Sequence, residues 1–341
     1  MRGRAWARHA NGRPIAHRLG MIPRAISTVA AVACAVSLAC GGRTVVVTPR
    51  GPVPPAVSAQ LRVDPGDQVR DLFWGIGGQR YAPAPDATYA LEGKDEAGFS
   101  VSYDVTDPDG LEWSAKIGPE AQTEVVVSRI LWGLGYHQPP IYYLPSWKLG
   151  GGEEEPIRVS EARFRPKLPN LERTDEIWSW ADNAFSGTRE LRGLLVILLM
   201  LNSTDLKDSN NSVYQPGERW DGATRWYVVR DIGAALGETG KLYPRRNWVE
   251  GFERQSFITH VAGSTVEFGY DGRHRELLTM IRREDVQWAA RQMARLSDAQ
   301  WRDAFRAGNY AAPHADRYIR RIKEKIGDGL ALRVDRREQN D

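Results

Sequence analysis

The spacing of apolar residues changes along this chain, and that change limits its fold more than any other feature. From residue 99 to residue 117, apolar and polar side chains alternate, as is typical of β-strands with one buried face. From residue 274 to residue 326, apolar residues recur at helical spacing instead. Strands in the first part and helices in the last part predict an α+β protein of two lobes.

The alternating stretch predicts a β-hairpin that is followed directly by a helix. Its strands are predicted at 99–105 and 111–117, and the residues Asp-Pro-Asp-Gly between them are typical of a tight turn. Pro119 suits the first position of a helix, which is predicted to run from 120 to 134. The other predicted elements are extended segments at 88–92, 141–144, 157–168, 213–214 and 226–230 and helices at 188–201, 274–296, 298–307 and 313–326.

The net charge of the chain is +3, but the positive charge is concentrated near the N-terminus. Every arginine of the leader precedes residue 25, and the first acidic residue is Asp64. Without residues 1–39, 40 basic and 43 acidic residues remain, which gives a net charge of −3. The remaining chain has no basic stripe interleaved with aromatic residues, so its composition argues against nucleic-acid binding.

Residues 25–39 form an uncharged apolar segment that ends at Cys40. The segment is shorter than the ~20 residues of a transmembrane helix and has the length of a signal-peptide core. The residues Ser-Leu-Ala before Cys40 resemble the lipobox of bacterial lipoproteins, in which the cysteine becomes the lipidated N-terminus. The sequence therefore predicts a signal peptide at 1–39 and a lipid anchor on Cys40.

Other interpretations of this leader remain open. Cys34 follows Ala-Val-Ala and could be the lipidated residue, although Cys40 is preferred because it closes the apolar segment. A buried N-terminal helix is a further alternative. Translation from Met21 would give a more compact signal peptide with a single arginine before its apolar segment. Both cysteines lie in the leader, so the rest of the chain has no disulfide and no cysteine ligand or nucleophile.

A proline-rich segment follows the leader. Five prolines lie between residues 41 and 65, where valine is almost the only large apolar residue, and this composition predicts an extended tether. We therefore expect a tether and lead-in at 40–86, with the folded part beginning between residues 67 and 87.

The segment 204–211, Thr-Asp-Leu-Lys-Asp-Ser-Asn-Asn, resembles the catalytic loop of protein kinases. In that loop an aspartate orients the accepting hydroxyl, and an asparagine five residues later holds a metal on the nucleotide phosphates, which is the spacing of Asp205 and Asn210. The usual His and Arg before the aspartate are replaced by Ser and Thr. A second segment, Arg-Asp-Ile-Gly ending at Gly233, is similar to the kinase Asp-Phe-Gly, and its Asp231 corresponds to the Mg²⁺ ligand.

A lysine and two glutamates extend this pattern upstream. The residues Trp-Ser-Ala-Lys ending at Lys116 resemble the strand whose lysine contacts the nucleotide phosphates. Glu120 and Glu124, one turn apart on the following helix, are candidates for its ion-pair partner, and the spacing leaves the choice between them open. Gly93 and Gly98 occupy the place of the glycine-rich loop, although the Gly-x-Gly-x-x-Gly pattern is absent.

These elements make the chain similar to atypical kinases of the phosphoinositide-kinase-like, secretory-pathway and spore-coat types, and to a group of bacterial proteins with the same core. The resemblance covers residues 88–330 and implies a two-lobed protein-kinase-like fold. Its small β-rich N-lobe is expected at 87–170 and its larger helical C-lobe at 171–330, followed by a charged tail at 331–341. Nothing in the sequence resembles an activation segment that ends in Ala-Pro-Glu.

The resemblance also implies a chemistry, namely transfer of the γ-phosphoryl group of ATP with Mg²⁺, or with Mn²⁺ in its place. Asp205 would orient the acceptor, and Lys207 would neutralise charge at the acceptor oxygen. The implied residues are Asp205 and Lys207 for catalysis; Lys116, Glu124, Glu120, Gly93 and Gly98 for the nucleotide; and Asn210, Asp231 and Asn211 for the metal.

The sequence thus predicts an exported, lipid-anchored kinase-like phosphotransferase at the cell envelope, facing the periplasm or the exterior. Its acceptor, whether protein, sugar or lipid, is not identified. ATP is scarce outside the cytoplasm, and three explanations are open. The leader is not functional and the protein is cytoplasmic, the enzyme uses another phosphoryl or nucleotidyl donor, or the chain is a catalytically inactive kinase-fold binding module. The presence of Asp205, Asn210 and Asp231 together favours catalysis.

Overall fold

The structure, a computed structural model, describes residues 52–96, 100–150, 155–218, 220, 222–240 and 245–333. The predicted signal peptide, Met21, Cys34, Cys40 and Gly98 lie outside these ranges, and what was predicted for them stays a prediction. Within the described ranges, no helix is both long enough and apolar enough to cross a bilayer.

A seven-stranded sheet forms the first part of the described chain. Its strands are β1 (Thr88–Asp95), β2 (Ser102–Thr106), β3 (Glu112–Ile117), β4 (Tyr142–Leu144), β5 (Trp147–Gly150), β6 (Ile157–Val159) and β7 (Ala162–Pro166). They lie in the order β4-β7-β3-β2-β1-β5-β6, and all neighbours are antiparallel except β1 and β5. One face of the sheet has its own hydrophobic core around Trp113, Trp147 and Phe164.

The turn of the predicted hairpin forms because Asp107 binds the backbone that follows it. Its Oδ1 accepts hydrogen bonds from the backbone N–H groups of Asp109 (3.0 Å) and Leu111 (2.9 Å). Its Oδ2 accepts a hydrogen bond from the indole N–H of Trp113 at 2.9 Å. An aspartate that bonds the backbone two residues on defines an Asx turn. The turn fixes the register of β2 and β3, and it places Lys116 one residue before the end of β3.

Helices dominate the rest of the chain and surround a larger hydrophobic core. The helices are α1 (Pro55–Ser58), α2 (Ala121–Gly133), α3 (Arg189–Met200), α4 (Val249–Arg254), α5 (Arg283–Ala294), α6 (Asp298–Ala307) and α7 (Ala312–Leu330). Two small sheets accompany them, formed by β8 (Leu171–Arg173), β9 (Asn211–Pro216) and β10 (Trp226–Val229) and by β11 (Ile258–Ala262) and β12 (Thr265–Phe268). The predicted α+β class, with a β-rich first part and a larger helical second part, is confirmed.

Helix α2 contacts both parts of the molecule. Its residues Val126, Val127 and Ile130 lie in the core of the C-terminal helices. Its Glu124 instead contacts side chains of β7 in the sheet. Because α2 is buried on several sides, its apolar residues are not confined to one stripe. The helix therefore connects the sheet to the helical core.

The packed chain begins earlier than expected. Leu61 is 1% exposed and belongs to the helical core. The ring atom Nε2 of His137 lies 2.8 Å from the backbone oxygen of Ala59, and the backbone N–H of Tyr227 donates to the backbone oxygen of Gln60 at 2.9 Å. The expected start between residues 67 and 87 is therefore wrong, because the chain around residue 60 already packs on the domain.

Several predicted elements differ at their ends. The helix predicted from residue 274 is interrupted, since His274 has a left-handed φ of 56° and a short 3-10 helix, Arg275–Met280, precedes α5. The extended segment predicted at 157–168 is divided into β6 and β7. The elements that the sequence did not predict are α1, α4, β5, β8, β11 and β12.

Candidate active site

Lys116, near the end of β3, lies at the centre of an ionic cluster. Its Nζ is 3.1 Å from Oε2 of Glu120 and 3.5 Å from Oδ1 of Asp231. The side chains of Lys116 and Glu120 are 15% and 10% exposed, so water screens their ion pair only weakly, whereas the side chain of Asp231 is 39% exposed. The lysine of β3 and the aspartate that follows β10 are thus brought into direct contact from distant parts of the chain.

The charges of this cluster determine one another's protonation states. Burial opposes the charge on Lys116, but nearby carboxylates, first that of Glu124, outweigh burial and raise the pKa of Lys116. Burial would also raise the pKa of Asp231, but Lys116 and neighbouring arginines hold that pKa well below its ordinary value. At neutral pH the lysine is therefore a cation and the aspartate is a carboxylate.

The two glutamates of the following helix have different partners. Glu120, which directly precedes α2, binds Lys116. Glu124 is fully buried and instead binds Arg163 at 3.2 Å and Arg165 at 2.8 Å, both on β7. Of the two candidates that the sequence left open, Glu120 is therefore the direct ion-pair partner of Lys116, and Glu124 is not.

Gly233 allows the start of α2 to approach the segment that carries Asp231. A Cβ atom at position 233 would lie 2.6 Å from Cβ of Glu120 and 2.8 Å from its backbone oxygen, which is closer than such atoms approach in proteins. Asp231 itself has a left-handed φ of 49°, a conformation that aspartate adopts more readily than most residues. Position 231 thus needs a residue that tolerates a left-handed backbone, and position 233 needs a residue without a Cβ atom.

Gly233→Ala is expected to lower the free energy of unfolding by about 1 to 3 kcal/mol, because the added methyl group overpacks the contact with Glu120. Denaturant unfolding of the purified chain measures this loss. Gly327→Ala is a matched control on α7, where no atom lies within 4 Å of an added Cβ. Removing a helical glycine there is expected to stabilise the chain by up to about 1 kcal/mol. Equal effects of the two substitutions would contradict the close approach.

The loop between α3 and β9 carries a second group of polar side chains. Oδ2 of Asp205 lies 2.8 Å from Nζ of Lys207, and its Oδ1 lies 3.2 Å from Nε of Arg273. The amide nitrogen of Asn210 donates to the backbone oxygen of Asp205 at 2.8 Å and to its Oδ2 at 3.2 Å. The five-residue spacing between aspartate and asparagine therefore closes a compact loop in which the two side chains touch.

Backbone hydrogen bonds join this loop to the Asp-x-Gly segment. The N–H of Arg230 donates to the carbonyl of Asn210 at 2.9 Å, and the N–H of Thr204 donates to the carbonyl of Ala234 at 2.9 Å. The first of these bonds continues the antiparallel pairing of β9 and β10. The loop that carries Asp205 and Asn210 is thus held beside the segment that carries Asp231 by backbone hydrogen bonds.

Asn210 and Asp231 fit the donor set of an Mg²⁺ site that also uses substrate phosphates. The amide nitrogen of Asn210 is directed at Asp205, which leaves the amide oxygen available as a ligand. Mg²⁺ is usually held by one or two carboxylates together with phosphates and water. Among the described residues, no group of three or more His, Cys, Asp or Glu could hold a metal ion. A metal held by Asn210 and Asp231 would take its other ligands from phosphate oxygens and water.

Solved structures of kinases are among those similar to this chain at low sequence identity. No protein-family model matches the sequence, and a comparison with curated proteins gives no match. Among solved structures, the Helicobacter pylori proinflammatory kinase CtkA is similar with a TM-score of 0.42 and 9% identity, over 73% of this chain and 97% of that chain. The Golgi casein kinase is similar with a TM-score of 0.35 and 8% identity, over 73% of this chain and 74% of that chain.

The order of elements in this chain is the one expected for a protein-kinase-like fold. Strands β1 to β3 precede α2, strands β4 to β7 complete the seven-stranded sheet, and the polar loop and the Asp-x-Gly segment follow α3 on either side of β9 and β10. The fold is protein-kinase-like. In this fold the cluster around Lys116 and Asp231 lies where the sheet meets the helical part.

Two residues predicted for this kinase-like site are placed differently. Gly93 lies inside β1, opposite Asp104, and not in the loop that leads to β2, because β1 continues to Asp95. Asn211 is fully buried, and its amide nitrogen donates to the backbone oxygen of Trp178 at 2.9 Å. The amide of Asn210 bonds to Asp205 within the loop, whereas the amide of Asn211 holds the start of β9 against the segment around Trp178. Gly98 is outside the described residues.

The arginines around the Asp-x-Gly aspartate were not predicted from the sequence. Arg163 and Arg165 flank Phe164, which is buried in the core of the sheet. Alternate residues of a strand point to opposite faces, so both arginines project away from that core. The sequence Arg-Phe-Arg in an extended segment was the available signal. Burial, with the nearby Arg165, also lowers the pKa of Arg230 to about 10.

Two further arginines bind the predicted carboxylates. Nε of Arg246 lies 2.9 Å from Oε1 of Glu120, and Arg273 binds Asp205 as described above. Neither arginine belongs to a recognisable motif, and both come from segments distant in sequence from their partners. No local signal in the sequence could have identified them.

Proposed function

We propose that this chain is a phosphotransferase that transfers the γ-phosphoryl group of ATP, in the presence of Mg²⁺, to a hydroxyl group of an acceptor. The observation that carries the proposal is the 3.5 Å contact of Lys116 with Asp231, next to the loop in which Asn210 contacts Asp205 at 3.2 Å. Phosphoryl transfer needs a phosphate-binding cation, metal ligands and a group that orients the acceptor at one place.

Each group has a role that its surroundings support. Lys116, kept cationic by neighbouring carboxylates, binds phosphate oxygens as negative charge develops on them. Mg²⁺ bound by Asp231 and Asn210 supplies neutralisation of the phosphate charge. Asp205 orients the acceptor hydroxyl and takes its proton as the new oxygen–phosphorus bond forms and ADP leaves. Lys207 offsets charge at the acceptor oxygen.

A catalytically inactive binding module with the same fold is the second candidate, and one observation favours it. Both carboxylate oxygens of Asp205 are engaged by cations, Lys207 and Arg273. These ion pairs occupy the oxygen atoms that would take the proton of an acceptor hydroxyl. Arg273 is 63% exposed, however, so an entering acceptor can displace it. The two candidates differ in whether Asp205 is needed for chemistry.

We also propose that the protein is exported and held at the cell envelope by a lipid on Cys40. The apolar segment 25–39 that ends at this cysteine supports the proposal. An enzyme placed there needs a nucleotide delivered from the cell or another phosphoryl or nucleotidyl donor. If the leader does not function, the same chemistry takes place in the cytoplasm. The acceptor, whether protein, sugar or lipid, is selected by loops that vary independently of the fold.

Phosphoryl transfer by the purified full chain tests the proposed enzyme. With radiolabelled ATP, Mg²⁺ or Mn²⁺, and a panel of protein, sugar and lipid acceptors, we expect the wild type to label at least one acceptor. Asp205→Asn is expected to lower the transfer rate about a hundredfold or more, since proton transfer by a positioned group typically contributes that much. Nucleotide affinity, measured by thermal shift, is expected to stay unchanged because Asp205 acts on the acceptor.

Asp303→Asn serves as the control for this experiment, because within the part of the chain that the structure describes it removes a single surface ion pair, with Arg306. We expect its transfer rate to equal that of the wild type. A folded Asp205→Asn variant with an undiminished rate would contradict the assigned role. Nucleotide binding without transfer to any acceptor would favour the binding module.

A further inference from the structure

Arg165 and Arg230 carry hydrogen-bond donors that the described residues leave unused. Nε and Nη1 of Arg165 and Nε of Arg230 are buried, and none of the described residues accepts a hydrogen bond from them. The side chain of Arg165 is only 9% exposed, and its remaining nitrogen, Nη2, donates to Glu124 at 2.8 Å. A buried charged donor without an acceptor is costly, so native structures usually supply an acceptor from a ligand, an ion or water.

Both arginines lie beside Asp231. Arg165 is on β7 and pairs with Ser114 of β3, two residues before Lys116. Because residues two apart on a strand share a face, Arg165 projects from the same face of the sheet as the lysine. Arg230 directly precedes Asp231 in the chain. Lys116, on the same face of the sheet as Arg165, contacts Asp231 at 3.5 Å, so this face is directed at the aspartate that follows Arg230.

Positive charge exceeds negative charge in this cluster. Among the described residues, the cations that act on Asp231 are Lys116, Arg163, Arg165 and Arg230, and the carboxylates of the cluster are Glu120, Glu124 and Asp231. Glu124 is shared by two arginines, and Glu120 is shared by the lysine and Arg246. Arg230 has no ion pair with any carboxylate in the part of the chain that the structure describes. An anion supplied by a ligand would balance this charge.

We propose that Arg165 and Arg230 form a binding site for a phosphate group of the ligand, beside Asp231. A guanidinium presents several N–H donors in a rigid fork, which matches the oxygen atoms of a phosphate and stays charged at neutral pH. The unused N–H donors of the two side chains match the acceptor oxygens of such a phosphate group. The inference rests on the proposed function only in assigning this phosphate to the phosphoryl donor. Lys116 is already bound by two carboxylates, so the arginines add a phosphate contact that the lysine alone does not supply.

Binding of inorganic tripolyphosphate to the purified full chain, without metal, tests this site. Isothermal titration is expected to show binding by the wild type and a dissociation constant about tenfold to a hundredfold higher for Arg230→Met, since a hydrogen bond to a charged group typically contributes that much. The melting temperature of unliganded Arg230→Met is expected to equal or exceed that of the wild type. Arg230 is half-buried, and its Nε is buried without an acceptor among the described residues, so replacing it by an apolar residue of similar length removes a cost.

Arg158→Met is the matched control, because Arg158 lies on β6 of the same sheet and its exposed side chain donates to Ser146 and to no other side chain among the described residues. We expect it to leave the tripolyphosphate affinity unchanged. Unchanged affinity in Arg230→Met would overturn the proposal, whatever its melting temperature. Arg165→Met is less decisive alone, since it also removes a partner of Glu124.

The two proposals fail in different ways. Loss of tripolyphosphate binding in Arg230→Met supports the phosphate site even if the wild type transfers no phosphoryl group, a result that would contradict only the proposed function. Conversely, phosphoryl transfer by the wild type together with full tripolyphosphate affinity in Arg230→Met would contradict only the phosphate site.

Discussion

Asp231→Asn is expected to abolish Mg²⁺-dependent nucleotide binding and to lower phosphoryl transfer at least about a thousandfold, since a metal ion contributes several kcal/mol of charge stabilisation. The amide keeps the size of the side chain but loses the negative charge that binds the metal. Thermal shift titrations with ATP, GTP and ADP, each with and without Mg²⁺ or Mn²⁺, measure the binding. Transfer of a radiolabelled phosphoryl group measures the rate.

Stability of the unliganded protein provides the control for this prediction. Neighbouring cations hold the pKa of Asp231 below its ordinary value, so its charge also stabilises the native state at neutral pH. The variant must therefore be compared at a temperature at which it is folded. Asp104→Asn, which removes an exposed ion pair with Lys167 in the same sheet, is expected to change neither binding nor transfer. A full Mg²⁺-dependent shift in folded Asp231→Asn would contradict the metal role.

The elements that the sequence predicted correctly are determined by residues near to one another. The β2–β3 hairpin is closed by Asp107, which bonds groups two and four residues ahead. Helix α3 begins where the hydroxyl of Thr188 accepts a hydrogen bond from the backbone N–H of Leu191 at 3.2 Å. Turn chemistry and helix capping act over a few residues, so they are readable from a single sequence.

The elements that were missed depend on distant partners. Strand β5 has only four residues and pairs in parallel with β1, from a much earlier part of the chain. The early start of the domain likewise depends on contacts of Leu61 with helices that come later in the chain. Such pairings have no local signature, because the stabilising contacts form only when the whole fold is assembled.

In the candidate site, too, some features could be predicted from short motifs and others depend on residues distant in sequence. The order of Lys116, Asp205 and Asp231 could be predicted because each belongs to a short motif, and the structure brings all three motifs together. The ion-pair partner of the lysine could not be predicted, because Glu120 and Glu124 are one turn apart and either could reach it. The arginines of β7 decide between the two glutamates, because they form ion pairs with Glu124 and leave Glu120 as the partner of the lysine.

The ion pairs of Glu124 with two arginines predict that this glutamate has a large effect on stability. Glu124→Gln is expected to lower the free energy of unfolding by about 3 to 5 kcal/mol, because removing one partner of a buried ion pair leaves uncompensated buried charge. Here two guanidinium groups, those of Arg163 and Arg165, lose their shared carboxylate. Urea unfolding at neutral pH measures the change. Glu112→Gln, which removes an exposed ion pair with Lys167 from the same sheet, is expected to cost about 1 kcal/mol or less.

The pH dependence of this loss separates charge from packing. Burial alone would raise the pKa of Glu124, but Arg163 and Arg165 outweigh burial and lower the pKa below its ordinary value of 4.5. Because the native pKa lies below the unfolded one, the carboxylate stabilises the native state fully above pH 4.5, and this stabilisation is lost as the pH falls through the native pKa. The difference between wild type and Glu124→Gln is therefore expected to be constant near neutral pH and to shrink in acid. A difference that persists unchanged in acid would mean that shape, not charge, determines the position of this glutamate.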